Sequence, residues 1–281
     1  MNYNICFCVY FNGKVEGYGF IMTSLIQRRD SWLRKGLENS GSIYFFYRDV
    51  MFKYPFLRLF NIYVLARAKL LGTSVIHVIG DSHAKAFVFK VPFIIHHISQ
   101  ATAYNLDKDN SHSRSKMYLN SFLPRINKSR DILMLVFGEI DARVHIYSQY
   151  CKRNCSSSID DIIEATVERY GDTITRLSNQ GFAVCVHGIP PAARKSYTSI
   201  LPYTGSPEER AYISREFNDK LKTFCHSKDI PYLDVQSVSK DGEGFIKDEY
   251  AADELHLNPK IVPFIRERIA EAFSDSRFCS H

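Results

Sequence analysis

Three short polar segments of this chain carry side chains that could do nucleophilic chemistry. Residues 80–83 read Gly-Asp-Ser-His, residues 138–141 read Gly-Glu-Ile-Asp, and residues 253–256 read Asp-Glu-Leu-His. A serine hydroxyl becomes a useful nucleophile when a nearby base takes its proton. Ser82 and His256 supply that pair of groups, so the sequence indicates attack by a serine with an imidazole as the base.

The residues around Ser82 predict where this serine lies in the fold. The β-branched run 75–79 has the character of a buried strand, and residues 84–86 favour a helix. A strand that turns sharply into a helix places the turn at the carboxyl edge of a sheet, where open α/β folds bind ligands. Backbone N–H groups at the start of the helix would favour an oxyanion there.

Five apolar segments of strand length alternate with helical patterns. They are residues 75–79, 92–98, 131–137, 182–187 and 231–235. Capping-box patterns predict helix starts at Ser158 and Ser206, and Asn258-Pro259 predicts the start of a last helix. This alternation predicts a three-layer α/β/α, flavodoxin-like fold with a mostly parallel five-stranded sheet. Its strand ends would bring the three polar segments to one edge.

The composition is that of an ordinary soluble globular protein. Of the 281 residues, 45% are hydrophobic and 23% are charged, and no apolar run approaches the length of about 20 residues that spans a bilayer. The N-terminus lacks the features of a secretory signal, and the seven cysteines are an odd number. We therefore expect a cytoplasmic protein with reduced thiols, with no nucleic-acid partner and no transmembrane segment.

The net charge of +6 comes from the N-terminal part of the chain, since residues 1–74 contain ten basic and four acidic residues. We therefore divide the chain into a basic N-terminal extension, 1–73, and a domain, 74–281. In the extension, residues 43–47 are aromatic and strand-like, and residues 56–71 have a basic amphipathic helical pattern. Packing against the domain is the first expectation for this helix, and contact with an acidic partner or a membrane surface is the second.

Taken together, the three polar segments resemble the sequence blocks of SGNH (GDSL-like) hydrolases, over roughly residues 74–273. The resemblance implies that Ser82 is the nucleophile, that His256 is the general base and that Asp253 orients the imidazole. It implies no cofactor and no metal. The activity it implies is hydrolysis of an acyl ester, such as an O-acetylated carbohydrate or another small ester.

The sequence departs from the family where the oxyanion is stabilised. The family takes one donor from the backbone N–H of the nucleophile, one from a glycine after the second strand and one from an Asn side chain in the third block. Here residues 98–103 contain no glycine, and Ile140 stands at the Asn position. The remaining candidates for oxyanion or substrate binding are Ser99, Gly138, Asp141, Arg143 and His145.

Several residues near these motifs have structural interpretations as well. Asp81, His83 and Glu139 are expected to surround the site without touching substrate, and Glu139 could cap backbone N–H groups. Asp141 is more simply a brace for the nucleophile turn, and Arg143 could pair with Asp81 or Asp141. The other strand histidines are expected to be satisfied structural groups.

Other functional classes stay open on the sequence. The pair Asp81 and His83 also starts a metallophosphoesterase motif, whose further blocks are missing. Cys151 and Cys155 have the spacing of half a zinc site, without a second pair. An O-acyltransferase of glycan biosynthesis would use the same triad, and a glycan-binding module could keep the fold without catalysis. The substrate, the oligomeric state and the role of residues 1–73 are not encoded in any readable pattern.

Overall fold

The apolar segments form one parallel sheet in the computed structural model, which describes residues 40–153, 156–194 and 202–273, with the backbone alone for 40–55. The strands are β1 (Ile76–Gly80), β2 (Phe93–His97), β3 (Ile132–Val136), β4 (Ala183–His187) and β5 (Tyr232–Leu233). They pair in the order β2-β1-β3-β4-β5, and each neighbouring pair is parallel. This is the flavodoxin-like order. The predicted fold class is confirmed, with a sheet that is parallel throughout.

Seven α-helices are found in the described residues. They are α1 (Ser40–Leu71), α2 (Ser115–Phe122), α3 (Ile146–Lys152), α4 (Ile159–Asn179), α5 (Pro207–Ser227), α6 (Val235–Ser239) and α7 (Val262–Ala272). A 3₁₀ helix, Ser82–Phe87, follows β1, and a π-helical turn, Asp141–His145, leads into α3. Both predicted capping boxes are present, at Ser158 and at Ser206.

The sheet separates two apolar layers. On one face, strand residues such as Leu133 and Leu135 pack against α4 and α5, which contribute Ile163 and Phe217. On the other face, residues that include Val78 and Met134 pack against α7 and the 3₁₀ helix. The strands are covered on both sides, which explains why they appear in the sequence as continuous apolar runs rather than alternating ones.

The N-terminal region differs from one expectation. Residues 43–47 lie within α1 and are not a strand. Aromatic content favours a strand only weakly, and these residues continue into a long helical segment without a turn signal. The predicted strand at residues 5–11 lies outside the described residues.

The chain divides into two compact units, Met1–Pro55 and Phe56–His281. Within the second unit, the helical residues Val64 and Ala68 of α1 are buried against Val75 and Ile94. The helix predicted over residues 56–71 is therefore present, and one of its faces packs on the domain, as first expected.

Candidate active site

The turn that carries Ser82 is held by close packing between two strands. An added Cβ at Gly80 would lie 2.7 Å from both the Cβ and the carbonyl oxygen of Val136 on β3, so glycine permits the close approach. The Asp81 backbone N–H donates to the Val136 carbonyl at 3.3 Å. The Asp81 carboxylate accepts a hydrogen bond from the backbone N–H of His83 at 2.9 Å. This cap starts the 3₁₀ helix and leaves Ser82 half-buried beyond the end of β1.

Ser82, His256 and Asp253 form a continuous chain of hydrogen bonds. His256 Nε2 lies 2.8 Å from Ser82 Oγ, although the two residues are 174 positions apart in the sequence. His256 Nδ1 lies 2.8 Å and 2.9 Å from the two carboxylate oxygens of Asp253. With the proton on Nδ1, the imidazole donates to Asp253, and its Nε2 accepts from the serine hydroxyl. This arrangement can deprotonate an alcohol.

The loop that presents Asp253 and His256 is organised by its own hydrogen bonds. The Asp253 carboxylate accepts from the backbone N–H groups of Leu255 at 2.9 Å and His256 at 2.8 Å. The Asn258 side-chain amide donates to the carbonyl of Glu249 at 2.8 Å, which closes the loop before α7. Partial burial raises the pKa of Asp253, but His256 and the two backbone donors outweigh it and hold that pKa below its usual value. The carboxylate is therefore ionised at neutral pH.

A buried cluster of charges lies behind the serine turn. His83 Nε2 is 3.2 Å from Glu139 Oε2, and the Arg143 guanidinium contacts both Glu139 oxygens at 2.6 Å and 3.2 Å. Burial raises the pKa of Glu139, but His83 and Arg143 together lower it to about 2. The expected pairing of Arg143 with Asp81 or Asp141 is wrong, because Glu139 lies four residues earlier and reaches the guanidinium along the same helical turn.

Each carboxylate oxygen of Asp141 accepts a hydrogen bond from the backbone. Its carboxylate accepts from the N–H groups of Ala103 at 2.7 Å and Tyr104 at 3.3 Å. Burial raises the pKa of Asp141 to about 7, against the effect of these two donors. The side chain braces the loop after β2, and not the serine turn that we expected it to brace.

The other predicted binding residues, Ser99, Gly138 and His145, lie in three different segments. Ser99 is exposed and follows Ile98, whose N–H donates to the Gly80 carbonyl at 2.8 Å, so Ser99 lies beside the serine turn. Gly138 follows β3 with a φ of +116°. His145 is exposed at the end of the π-helical turn, and among the described residues no hydrogen bond or ion pair joins it to the triad.

Sequence reasoning missed two residues that shape the surroundings of the site. The Tyr203 ring lies near the guanidinium groups of both Arg143 and Arg210, at 5.5 Å and 4.8 Å. Asn218 in α5 makes two hydrogen bonds, at 2.9 Å and 3.0 Å, to the backbone of Ile189 in the loop after β4. A polar residue on the apolar face of a predicted helix was the available signal for Asn218. No local pattern pointed to Tyr203.

Two of the alternatives considered from the sequence, the metallophosphoesterase and the zinc site, need a bound metal. Within the described residues, no group of three or more His, Cys, Asp or Glu side chains is arranged to hold a metal. Asp81 and His83 are both buried, and one Asp81 oxygen is already engaged by the His83 N–H. Cys151 is an exposed free thiol, and Cys155 lies outside the described residues, so the half zinc site is not described. In the part of the chain that the structure covers, no helix has both the length and the apolar character to cross a bilayer.

No protein-family model matches the chain. No curated protein sequence matches it either. Among solved structures, the fold is similar to a GDSL-like lipase from Bacteroides thetaiotaomicron, with 14% identity over 76% of this chain and 97% of that one, and a TM-score of 0.47. A phospholipase A1 from Streptomyces albidoflavus has 14% identity over 70% of this chain and 99% of the other, and a TM-score of 0.43.

A mutant of an acetyl-xylooligosaccharide esterase from Geobacillus has 9% identity, coverage of 74% and 97%, and a TM-score of 0.45. Solved structures similar in fold thus include GDSL-like lipases, as the sequence blocks predicted. At these identities and scores the likeness carries nothing about the chemistry of the site, which has to be understood from its own residues.

Proposed function

We propose that this protein is a serine ester hydrolase of SGNH type, with Ser82 as nucleophile, His256 as general base and Asp253 as the group that orients the imidazole. The observation that supports this most directly is the hydrogen-bonded chain from Asp253 through His256 to Ser82, with contacts of 2.8–2.9 Å. Two loops that are distant in sequence place complementary groups in the geometry that this chemistry requires.

In the proposed reaction, Ser82 Oγ attacks the carbonyl carbon of the ester while its proton passes to His256 Nε2. The tetrahedral intermediate collapses when the C–O bond to the alcohol breaks, and the imidazolium gives its proton to that alcohol oxygen. Water then attacks the acyl-serine ester, with its proton taken by His256, and the carboxylic acid and free Ser82 are released. Asp253 remains ionised throughout and stabilises the transient imidazolium.

The oxyanion has to be stabilised without an Asn side chain, because Ile140 has no donor. The His83 backbone N–H is already engaged by Asp81. We assign the donors to the backbone N–H groups of Ser82 and Ser99, and the hydrogen bond between Ile98 and Gly80 is what supports Ser99 in this role. A donor fewer than the family uses would reduce the rate by about 10²- to 10³-fold, so we expect a slow hydrolase.

We propose an O-acetylated carbohydrate or another small ester as the substrate, on the strength of the resemblance of the three sequence blocks to SGNH hydrolases. Transfer of the acyl group to a sugar hydroxyl is the second candidate. The same triad would serve this reaction when a sugar acceptor is bound and water is excluded from the acyl-serine. The cytoplasmic location stays a prediction.

Steady-state hydrolysis of 4-nitrophenyl acetate, compared with release of acetate from an O-acetylated oligosaccharide, tests the proposal. Wild-type protein should turn over at least one of them, and Ser82→Ala should be inactive with the same thermal stability. A transferase would show faster acetyl loss when a sugar acceptor is added. Equal rates for wild type and Ser82→Ala would contradict the esterase assignment, and absence of turnover by folded wild-type protein would favour a binding module.

We also propose that the exposed side of α1 contacts an acidic or membrane surface. Phe56, Leu59 and Ile62 are 62%, 63% and 62% exposed at helical spacing, with Arg58 and Lys69 beside them. Apolar residues flanked by basic ones are typical of helices that lie on anionic bilayers. The full chain should sediment with vesicles that contain phosphatidylserine, and Leu59→Glu should weaken this. Equal recovery with and without such vesicles would contradict the contact.

A further inference from the structure

The ring of His83 packs against the ring of His256. The His83 imidazole is buried, with 6% of its surface exposed. Its ring centroid lies 4.7 Å from that of His256, and the two planes are inclined by 38°. At this separation the rings are in van der Waals contact, so His83 bounds one side of the imidazole that faces Ser82.

The His83 ring is held in place by a buried ion pair. Its Nε2 lies 3.2 Å from a Glu139 oxygen, and Glu139 is bound through both oxygens by Arg143. Arg143 in turn donates to the carbonyl of Pro202 at 2.5 Å. The contacts therefore run from a loop after β4, through a buried ion pair, to the ring that touches His256. A buried and paired charge has few alternative positions, which makes this a rigid support.

The charges around His83 favour its protonated ring. Asp81 contributes a carboxylate from the same turn, and a Glu139 oxygen lies 3.2 Å from Nε2. The basic groups that interact with the ring are Arg143, His187 and His256. Burial lowers the pKa of His83, but the two carboxylates outweigh this and raise it above the ordinary value. A protonated ring forms an ion pair with Glu139 at 3.2 Å, and turning the ring away would leave a buried carboxylate less well paired.

We propose that His83 is a positioning residue for His256, with Glu139 acting through it. The inference rests on the proposed function. Asp253 and Ser82 contact the two ring nitrogens of His256, and rotation about the line joining these nitrogens changes neither distance much. The face contact with His83 opposes that rotation. It therefore keeps the Nε2 lone pair in line with the serine hydroxyl, where misalignment of reacting groups can cost about 100-fold in rate.

The test compares His83→Ala, which removes the ring, with His83→Phe, which keeps a ring of similar shape without the charge. Hydrolysis of 4-nitrophenyl acetate is measured per active site, with active sites counted by stoichiometric reaction with a fluorophosphonate. We expect kcat of His83→Ala to fall about 10- to 100-fold with KM within about threefold of wild type. His83→Phe should recover most of that loss.

A double-mutant cycle asks whether Glu139 works through His83. Glu139→Gln alone should lower kcat, and it should have no further effect in the His83→Ala background. His96→Ala is the matched control, because it also removes a buried imidazole, and its kcat per active site should be unchanged. If His83→Ala does not fold, kcat per active site is compared between wild type, His83→Phe and Glu139→Gln.

The outcomes separate this inference from the proposed function. Labelling of wild-type Ser82 together with an unchanged kcat in His83→Ala would overturn the positioning role and leave the esterase intact. Fully additive effects of Glu139→Gln and His83→Ala would overturn the role of Glu139 as a support. Wild-type protein that is not labelled would remove the proposed function, and the positioning role with it.

Discussion

Substitution of Gly138 by alanine should destabilise this protein more than substitution of any glycine on an open surface. Gly138 has a φ of +116°, a backbone conformation that alanine adopts with strain. An added Cβ would also lie 2.6 Å from the ring of Phe217 and 3.0 Å from Ile189. Phe217 is fully buried in α5, so it cannot move aside into solvent.

Two separate costs add at this position. A strained backbone costs about 1–3 kcal/mol, and overpacking of a tight core costs about 1–3 kcal/mol more. We therefore expect Gly138→Ala to lower the free energy of unfolding by about 2–6 kcal/mol. Two controls separate the contributions. Gly181 has a φ of +84° but open space around it, and Gly242 has open space without a positive φ.

The assay is urea unfolding at 25 °C, followed by far-UV circular dichroism. Gly181→Ala should lose about 1–2 kcal/mol, and Gly242→Ala should stay within about 1 kcal/mol of wild type. Phe217→Leu should be less harmful in the Gly138→Ala background than alone, because it relieves the overlap. Equal unfolding free energies for Gly138→Ala and Gly242→Ala would refute the argument.

Three further predictions concern the site and the core. Asp253→Asn should lower kcat about 10²- to 10⁴-fold with little change in KM, because the amide no longer selects the correct tautomer of His256; steady-state kinetics measure both. Arg143→Ala should unfold about 3 kcal/mol more easily because it removes the guanidinium that binds both oxygens of the buried Glu139 carboxylate, whereas the exposed His145→Ala should match wild type in urea unfolding. Burial, with like charges nearby, lowers the pKa of His96 to about 3, so between pH 6.5 and pH 3 the unfolded chain binds a proton that the folded chain does not. The contribution of neutral His96 to the free energy of unfolding is then fully present above pH 6.5 and is smaller by about 2 kcal/mol at pH 5. The free energy of unfolding of His96→Phe should depend less on pH in the same assay.

The features that the sequence predicted well are set by short stretches of chain. The observed strands differ from the predicted ones by at most two residues at either end, because each is a continuous apolar run bounded by turn residues. The helix starts at Ser158 and Ser206 could be predicted because a capping box spans only four consecutive residues. The meeting of Ser82 with His256 followed from the rule that parallel strand ends share one edge.

The features that the sequence did not predict depend on three-dimensional packing. Arg143 had several acidic residues within reach in sequence, and only the course of the helical turn selects Glu139. Asp141 braces a loop 38 residues away, which no local pattern encodes. Residues 43–47 have side chains that favour strands, yet they lie within a 32-residue helix, since segment context overrides a weak propensity.

The central claim is that Ser82 is an activated nucleophile, and covalent labelling by a fluorophosphonate followed by peptide mass spectrometry tests it most directly. We predict one equivalent of label on Ser82 in wild-type protein and none in Ser82→Ala. The labelling rate should fall strongly in His256→Ala, which keeps the hydroxyl but removes its base. Absence of label on Ser82 in folded wild-type protein, or equal labelling rates in wild type and His256→Ala, would contradict it.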